Sequence, residues 1–160
     1  MKSYQIWFKI LNENEKKEIE DSLNEQFGIK QIPGIIMQRG EERLFLFQGE
    51  LNEKQIRNLE QVRINIERIG VYFAKIVDSK IKLSIEGVHL LQNQITKNIF
   101  EVDEKQAEQW MKGQDLLIKT GKRGFIIIKY KDDFLGCGKA SEEKIGNYIP
   151  KSRRLKERNQ

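Results

Sequence analysis

The run FIIIKY at residues 125–130 constrains this chain most. It is apolar almost without interruption, so a strand built from it has no face to give to water and must be covered on both sides. A little further on, Gly136 and Gly138 alternate around Cys137. Alternate glycines remove two side chains from one face of a strand, and another part of the chain can approach closely there. Between the two strands Lys131, Asp132 and Asp133 make a turn. Ahead of them, residues 116–119 read as a short strand. Residues 120–124 read as a turn whose two glycines supply positive φ without strain.

Taken from the start, residues 4–11 (YQIWFKIL) are rich in aromatic and β-forming side chains and read as a strand. Asn12 followed by Glu15 fits a capping box, and Ile19, Leu23 and Phe27 fall on one helical face. Gly28 stands where a helix-ending glycine belongs. After Pro33 and Gly34 come two short strands, at 35–37 and 43–47. Asn52 and Gln55 then cap a second helix, with Ile56 and Leu59 inward. Val62, Ile64 and Ile66 alternate with polar residues as a further strand. Strand, helix, strand, strand, helix, strand is the order of a ferredoxin-like, or split βαβ, unit. Such a unit names no activity.

Residues 69–77 and 80–85 read as a hairpin across Asp78 and Ser79. Residues 86–91 read as one helical turn, and 98–102 (NIFEV) as a strand. Asp103 and Gln106 then form a capping box on a helix that turns Ala107, Trp110 and Met111 inward and ends at Gly113. The predicted boundary between two units lies near Arg68. No linker composition marks it, so the two units are expected to pack together.

A strand and turn followed by FLGCGK and then by NYIPKSRR at 147–154 resembles the PUA-like domain at the C-terminus of RsmF/Sun-type RNA cytosine-5 methyltransferases. The resemblance covers roughly 100–154, is weaker over 69–99, and does not take in the first part of the chain. It implies a compact β-barrel that binds structured RNA. No methyltransferase domain of that family is read among these residues. The resemblance therefore implies a stand-alone RNA-binding unit, not methyl transfer.

Charge points the same way. Residues 1–80 carry 13 basic and 13 acidic side chains, whereas 81–160 carry 16 and 11, so the whole net charge of +5 lies in the second half. A local basic excess suits a phosphate backbone. A solvated basic tail is the other reading of the same residues. The longest apolar runs are far short of the roughly 20 residues of a membrane span. No signal peptide is read at the N-terminus, and a single cysteine gives no internal disulfide. A cytoplasmic protein without membrane association is expected.

No catalytic constellation emerges. Cytosine-5 methyl transfer needs a cysteine thiolate and a glycine-rich loop for S-adenosylmethionine. Cys137 is the only thiol, lies in an apolar strand, and reads as a buried structural residue. The stretch around Gly136 and Gly138 lacks the spacing of a nucleotide-phosphate loop. His89 is the only histidine and makes no metal site with one distant cysteine. No cofactor and no metal are expected.

The basic residues remain. Lys119, Lys122 and Arg123 flank one turn, Lys129 lies just before Tyr130, and Lys139 follows the glycine pair. Lys151, Arg153 and Arg154 follow Pro150. These would hold phosphates, while Tyr130 and Tyr148 offer faces for an unpaired base, with core packing as the other reading of each. Asn147 opens the terminal motif, part of which closes the barrel in the family it resembles. The expected protein is α+β: a ferredoxin-like unit at 1–68, then a PUA-like β-barrel with a basic tail at 69–160. The resemblance implies a non-enzymatic binder of structured rRNA or tRNA acting in trans with an RNA methyltransferase catalytic subunit. Three alternatives stand beside this reading. One is a Nip-type ribosome-biogenesis factor on pre-ribosomal particles. Another is a protein-interaction adaptor. The third is an enzyme with a site between the two units.

Overall fold

The computed structural model describes residues 8–61 and 69–156. The expected strand at 4–11 is seen from Phe8 onward, and the alternating stretch 62–66 and the boundary near Arg68 lie outside the described residues. The protein is α+β with two sheets, as expected. The first has five strands in sequence order: β1 (Phe8–Ile10), β2 (Ile35–Arg39), β3 (Arg43–Phe47), β4 (Val71–Val77) and β5 (Lys80–Leu83). The second has four: β6 (Ile99–Glu101), β7 (Gly124–Tyr130), β8 (Asp133–Ala140) and β9 (Ile145–Gly146).

Local signals set the elements. Helix α1 (Glu13–Phe27) starts with the reciprocal Asn12–Glu15 box and ends at Gly28 with φ +79°. Helix α2 (Glu53–Gln61) has Asn52 and Gln55 bonded to each other's backbone N–H. Helix α4 (Glu104–Met111) starts with the Asp103–Gln106 box. Asp78 and Ser79, both at positive φ, turn β4 into β5, which matches the right-handed twist of the paired strands. The expected single turn at 86–91 is a full helix, α3 (Ile85–Leu91), capped by Ser84.

The first sheet pairs differently from a split βαβ unit. The strand–helix–strand segment β1–α1–β2 is present, but its two strands are direct neighbours and antiparallel. A split unit would run them parallel with a strand between. Helix α1 therefore loops over the sheet and returns rather than crossing it. Its Gln26 amide bonds both the N–H and the carbonyl of Ile81 on the edge strand β5, at 2.8 and 2.9 Å, and so covers that edge.

Beyond residue 68, β4 pairs with β3 and extends the first sheet. One core, including Leu23, Phe27, Leu44, Phe73 and Leu83, also takes in Phe125, Ile127 and Cys137 from the second sheet. Alternate positions on β3 divide the faces: Leu44 and Leu46 join that core, while Phe45 packs with Met37 and Ile56 of α2 on the other side. Strand β7 is likewise covered twice. Phe125 and Ile127 face the first sheet, and Ile126 and Ile128 face Trp110, Leu116 and Ile149. The unbroken apolar run thus packs on both faces, as expected.

The two alternate glycines lie under Trp110. A Cβ on Gly138 would stand 2.5 Å from the indole and 2.8 Å from the Gly146 carbonyl oxygen. Gly136, at φ +138°, sits beside the bulge where β7 and β8 shift register. The expected approach of another backbone is made by Gly146, and the larger occupant is the indole. Residues 116–119 do not form a strand. Among them only Leu116 pairs, in an isolated bridge to Ile145.

Candidate nucleic-acid interface

The second sheet distributes the expected binding residues over separate places. At one end of the β7–β8 hairpin, Lys119, Lys122 and Arg123 precede Gly124, whose partner across the ladder is Ala140. Lys119 lies 3.7 Å from Glu143 and Arg123 3.9 Å from Glu142, all strongly exposed. Exposed pairs of this kind contribute little, so a phosphate can replace either carboxylate. At the same end Lys139 stands across from Phe125, with its Nζ 5.9 Å from the ring centroid.

Lys129, Tyr130 and Lys131 occupy the other end of β7. Five residues of strand, roughly 17 Å, separate Tyr130 from Phe125. The two lysines rest on rings there, Lys129 over Phe134 and Lys131 over Tyr130. Tyr130 is half-buried and packs against the core under Trp110. His89 is exposed nearby, its Nε2 3.0 Å from the Phe134 carbonyl oxygen.

The terminal motif 147–154 has two roles. Asn147 is a fastener. Its side-chain amide donates to the carbonyl oxygens of Trp110 and Gln114, its side-chain oxygen accepts from the Ile149 N–H, and its own N–H reaches Asp115. The Lys144 hydrogen bond, followed by that from the Asn147 backbone, holds the Asp115 carboxyl below its usual range. Arg154 donates from Nε to the Ile149 carbonyl oxygen at 2.9 Å and packs against Gly113, where a Cβ would stand 2.3 Å from that nitrogen. Arg153 forms an ion pair with Glu86. Lys151 and Tyr148 are left exposed.

Tyr148 meets a lysine that the basic-residue pattern of the second half did not single out. Lys82, on β5, places its Nζ 4.3 Å from the Tyr148 ring centroid, and Tyr148 in turn tilts against Phe125 at 6.5 Å. Lys139, Phe125, Tyr148 and Lys82 therefore form a strip of cation, ring, ring and cation across the seam between the sheets. Burial, then the charge of Lys75 across the strand pair, holds the Lys82 ammonium below the usual lysine range. The alternation in KIKL, with Lys80 and Lys82 opposite Ile81 and Leu83, was the available signal.

Cys137 is buried in the core between the sheets. Burial pushes its thiol up to about 12, outweighing a backbone hydrogen bond at Leu83 and the Lys82 charge, which act the other way. It is a packing residue and not a thiolate. Among the described residues, no helix is long and apolar enough to cross a membrane.

Residues 97–155 match the family model described as the PUA domain of methyltransferase RsmF. That segment is PUA-like, of the RsmF kind. It contains the whole second sheet, the Trp110 helix and the terminal motif. Proteins named ribosomal RNA small subunit methyltransferase F are similar over more of the chain. The one from Psychromonas ingrahamii is 28% identical over 128 residues, 79% of this chain and 26% of that protein. Those from Shewanella oneidensis and Aeromonas salmonicida are 28% and 26% identical over 137 and 139 residues, 84% of this chain each, and 27% and 28% of those proteins. The chain spans about a quarter of the length of the curated relatives it matches. These alignments are longer than the stretch from residue 97 to the C-terminus. The similarity therefore reaches into the first sheet, further than the motif resemblance suggested.

Proposed function

We propose that this chain binds structured ribosomal RNA through its RsmF-type PUA-like domain and serves rRNA methylation by holding the substrate. The observation that carries this reading is the match of residues 97–155 to the RsmF PUA domain. The seam strip supports it, because Lys82, Lys139, Phe125 and Tyr148 bring together charges for phosphates and a partly exposed ring for a base. Lys122 and Arg123, which precede Gly124 at the Lys139 end of the hairpin, and Lys151, three residues after Tyr148, are exposed basic side chains that add to this reading. The chain itself is non-catalytic in this reading, and the methyl transfer belongs to a catalytic unit with which it acts in trans. The raised thiol of Cys137 fits that division, since it offers no nucleophile for a cytosine.

The test is a titration against small-subunit rRNA fragments and tRNA at two salt concentrations. Tight binding to one rRNA fragment, with affinity falling steeply as salt rises, supports the proposal. Equal, weak binding to every RNA defeats it.

A further inference from the structure

Beside the strip lies a cavity of about 200 Å³ at the junction of the two sheets. Tyr148, Lys82 and Glu86 bring polar groups to it, and Leu83, Cys137 and Ile149 are among its apolar walls. This is smaller than the roughly 300–1,000 Å³ that suits a drug-sized ligand. It is suited to one flat ring system. Three groups around it answer separate parts of a nucleotide. The Tyr148 ring is a stacking surface. Glu86 is a carboxylate whose pKa is lowered overall: burial acts to raise it, and the Arg153 hydrogen bond with smaller contributions outweighs that. It therefore accepts hydrogen bonds and cannot donate one. Lys82 is a half-buried ammonium resting on the Tyr148 ring with no carboxylate paired to it among the described residues.

We propose that this cavity receives a single unpaired nucleobase of an RNA strand, stacked on Tyr148, with its donor edge toward Glu86 and its flanking phosphate on Lys82. This rests on the RNA-binding reading above and adds to it a pocket that reads a base. Entry is an exchange. The base takes the place of the Lys82 ammonium on the ring, and the freed lysine turns to the phosphate. A lysine on a tyrosine face and a base on the same face are contacts of similar strength, so the exchange is close to balanced and the phosphate decides it. A paired base within a helix has both faces stacked and its edge occupied, and it gains nothing here. The pocket therefore selects loops, bulges and ends.

The experiment uses the whole chain and five probes: hexacytidylate, a ribose-phosphate hexamer without bases, cytidine 5′-monophosphate, a hexamer carrying 4-thiouridine, and an rRNA fragment as the reference for RNA binding. Hexacytidylate should bind at least about five-fold more tightly than the abasic hexamer in the unmodified protein and in Tyr148→Phe. The two hexamers should bind alike in Tyr148→Ala. A hexamer carrying 4-thiouridine should photo-crosslink to the segment containing Tyr148 or Lys82. Equal affinity for the two hexamers while the rRNA fragment binds overturns the pocket and leaves the RNA-binding reading standing. Failure of the rRNA fragment and of both hexamers overturns both. Cytidine monophosphate binding as tightly as the hexamer overturns the assignment to an RNA strand.

Discussion

The Asn147 side-chain amide donates to the Trp110 carbonyl oxygen at 2.8 Å. With it, the first residue of the basic terminal motif is fastened to the end of α4, and Tyr148 is held at the seam between the sheets. Replacing Asn147 with Ala leaves the Trp110 and Gln114 carbonyls and the Ile149 N–H without this partner. The expected cost is about 1–3 kcal/mol in chemical denaturation. RNA affinity measured well below the transition should fall less than that of Tyr148→Ala. The opposite ranking would make Asn147 a contact residue and not a fastener.

Arg154 and Lys151 stand three residues apart and should respond differently to charge reversal. Arg154→Glu loses the bond to the Ile149 carbonyl and places a carboxylate against Gly113, so it should destabilise the fold. Lys122→Glu and Lys151→Glu lie on exposed positions and should change stability by no more than about 0.5 kcal/mol. If both contact phosphates, the double variant should lower the magnitude of the slope of log affinity against log salt by about 2. An unchanged slope would remove these two lysines from the interface. Reversing Arg153 together with Arg154 is the poorer test, because it confounds binding with folding.

Gly138 and Gly121 separate packing from backbone strain. Gly138→Ala would push a methyl group into the Trp110 ring and the Gly146 carbonyl, and should cost about 1–3 kcal/mol or more. Gly121 has nothing within 4 Å of an added Cβ, but its φ of +75° disfavours any other residue. Gly121→Ala should cost about 1–2 kcal/mol from conformation alone. A shift in Trp110 fluorescence should accompany the first variant and not the second.

These positions also show what the sequence could reveal. The three capping boxes, Asn12 with Glu15, Asn52 with Gln55 and Asp103 with Gln106, are legible because both partners lie within one helical turn. Residues 125–128 announced burial on two faces because they offer no polar alternative. The pairing of β1 with β2 was not legible, since the same order of elements serves parallel and antiparallel arrangements, and the choice depends on how α1 packs far from either strand. The contact of Lys82 with Tyr148 joins β5 to the terminal motif across 66 positions of chain. No local pattern carries it. The charge of Arg154 is visible in the sequence, whereas the Gly113 surface it covers is not.

Cys137 should resist thiol reagents in the folded protein. Its thiol is buried and raised to about 12, so almost no thiolate forms at neutral pH. Alkylation by iodoacetamide at pH 8 should proceed only as fast as the molecule opens, and should accelerate in denaturant along the unfolding transition. Rapid labelling without denaturant would mean that the seam between the sheets opens locally.

Acid stability gives the last test, through Asp115. Its carboxyl is held below the ordinary value of 3.8 by Lys144 first and then by the Asn147 N–H. A carboxyl lowered on folding contributes stability that is fully present above its unfolded pKa and is lost as pH falls through its folded one. The contribution should therefore be intact above about pH 5 and fade below 3.8, toward the lowered value. Asp115→Asn keeps an oxygen for the Asn147 N–H but no longer titrates. It should be less stable than the unmodified chain at neutral pH, and the gap should narrow as the pH is brought down through that range. Denaturation midpoints at pH 7, 4 and 3 measure the gap directly. A constant gap would mean that Asp115 holds the terminal motif through its shape alone and that its charge adds nothing.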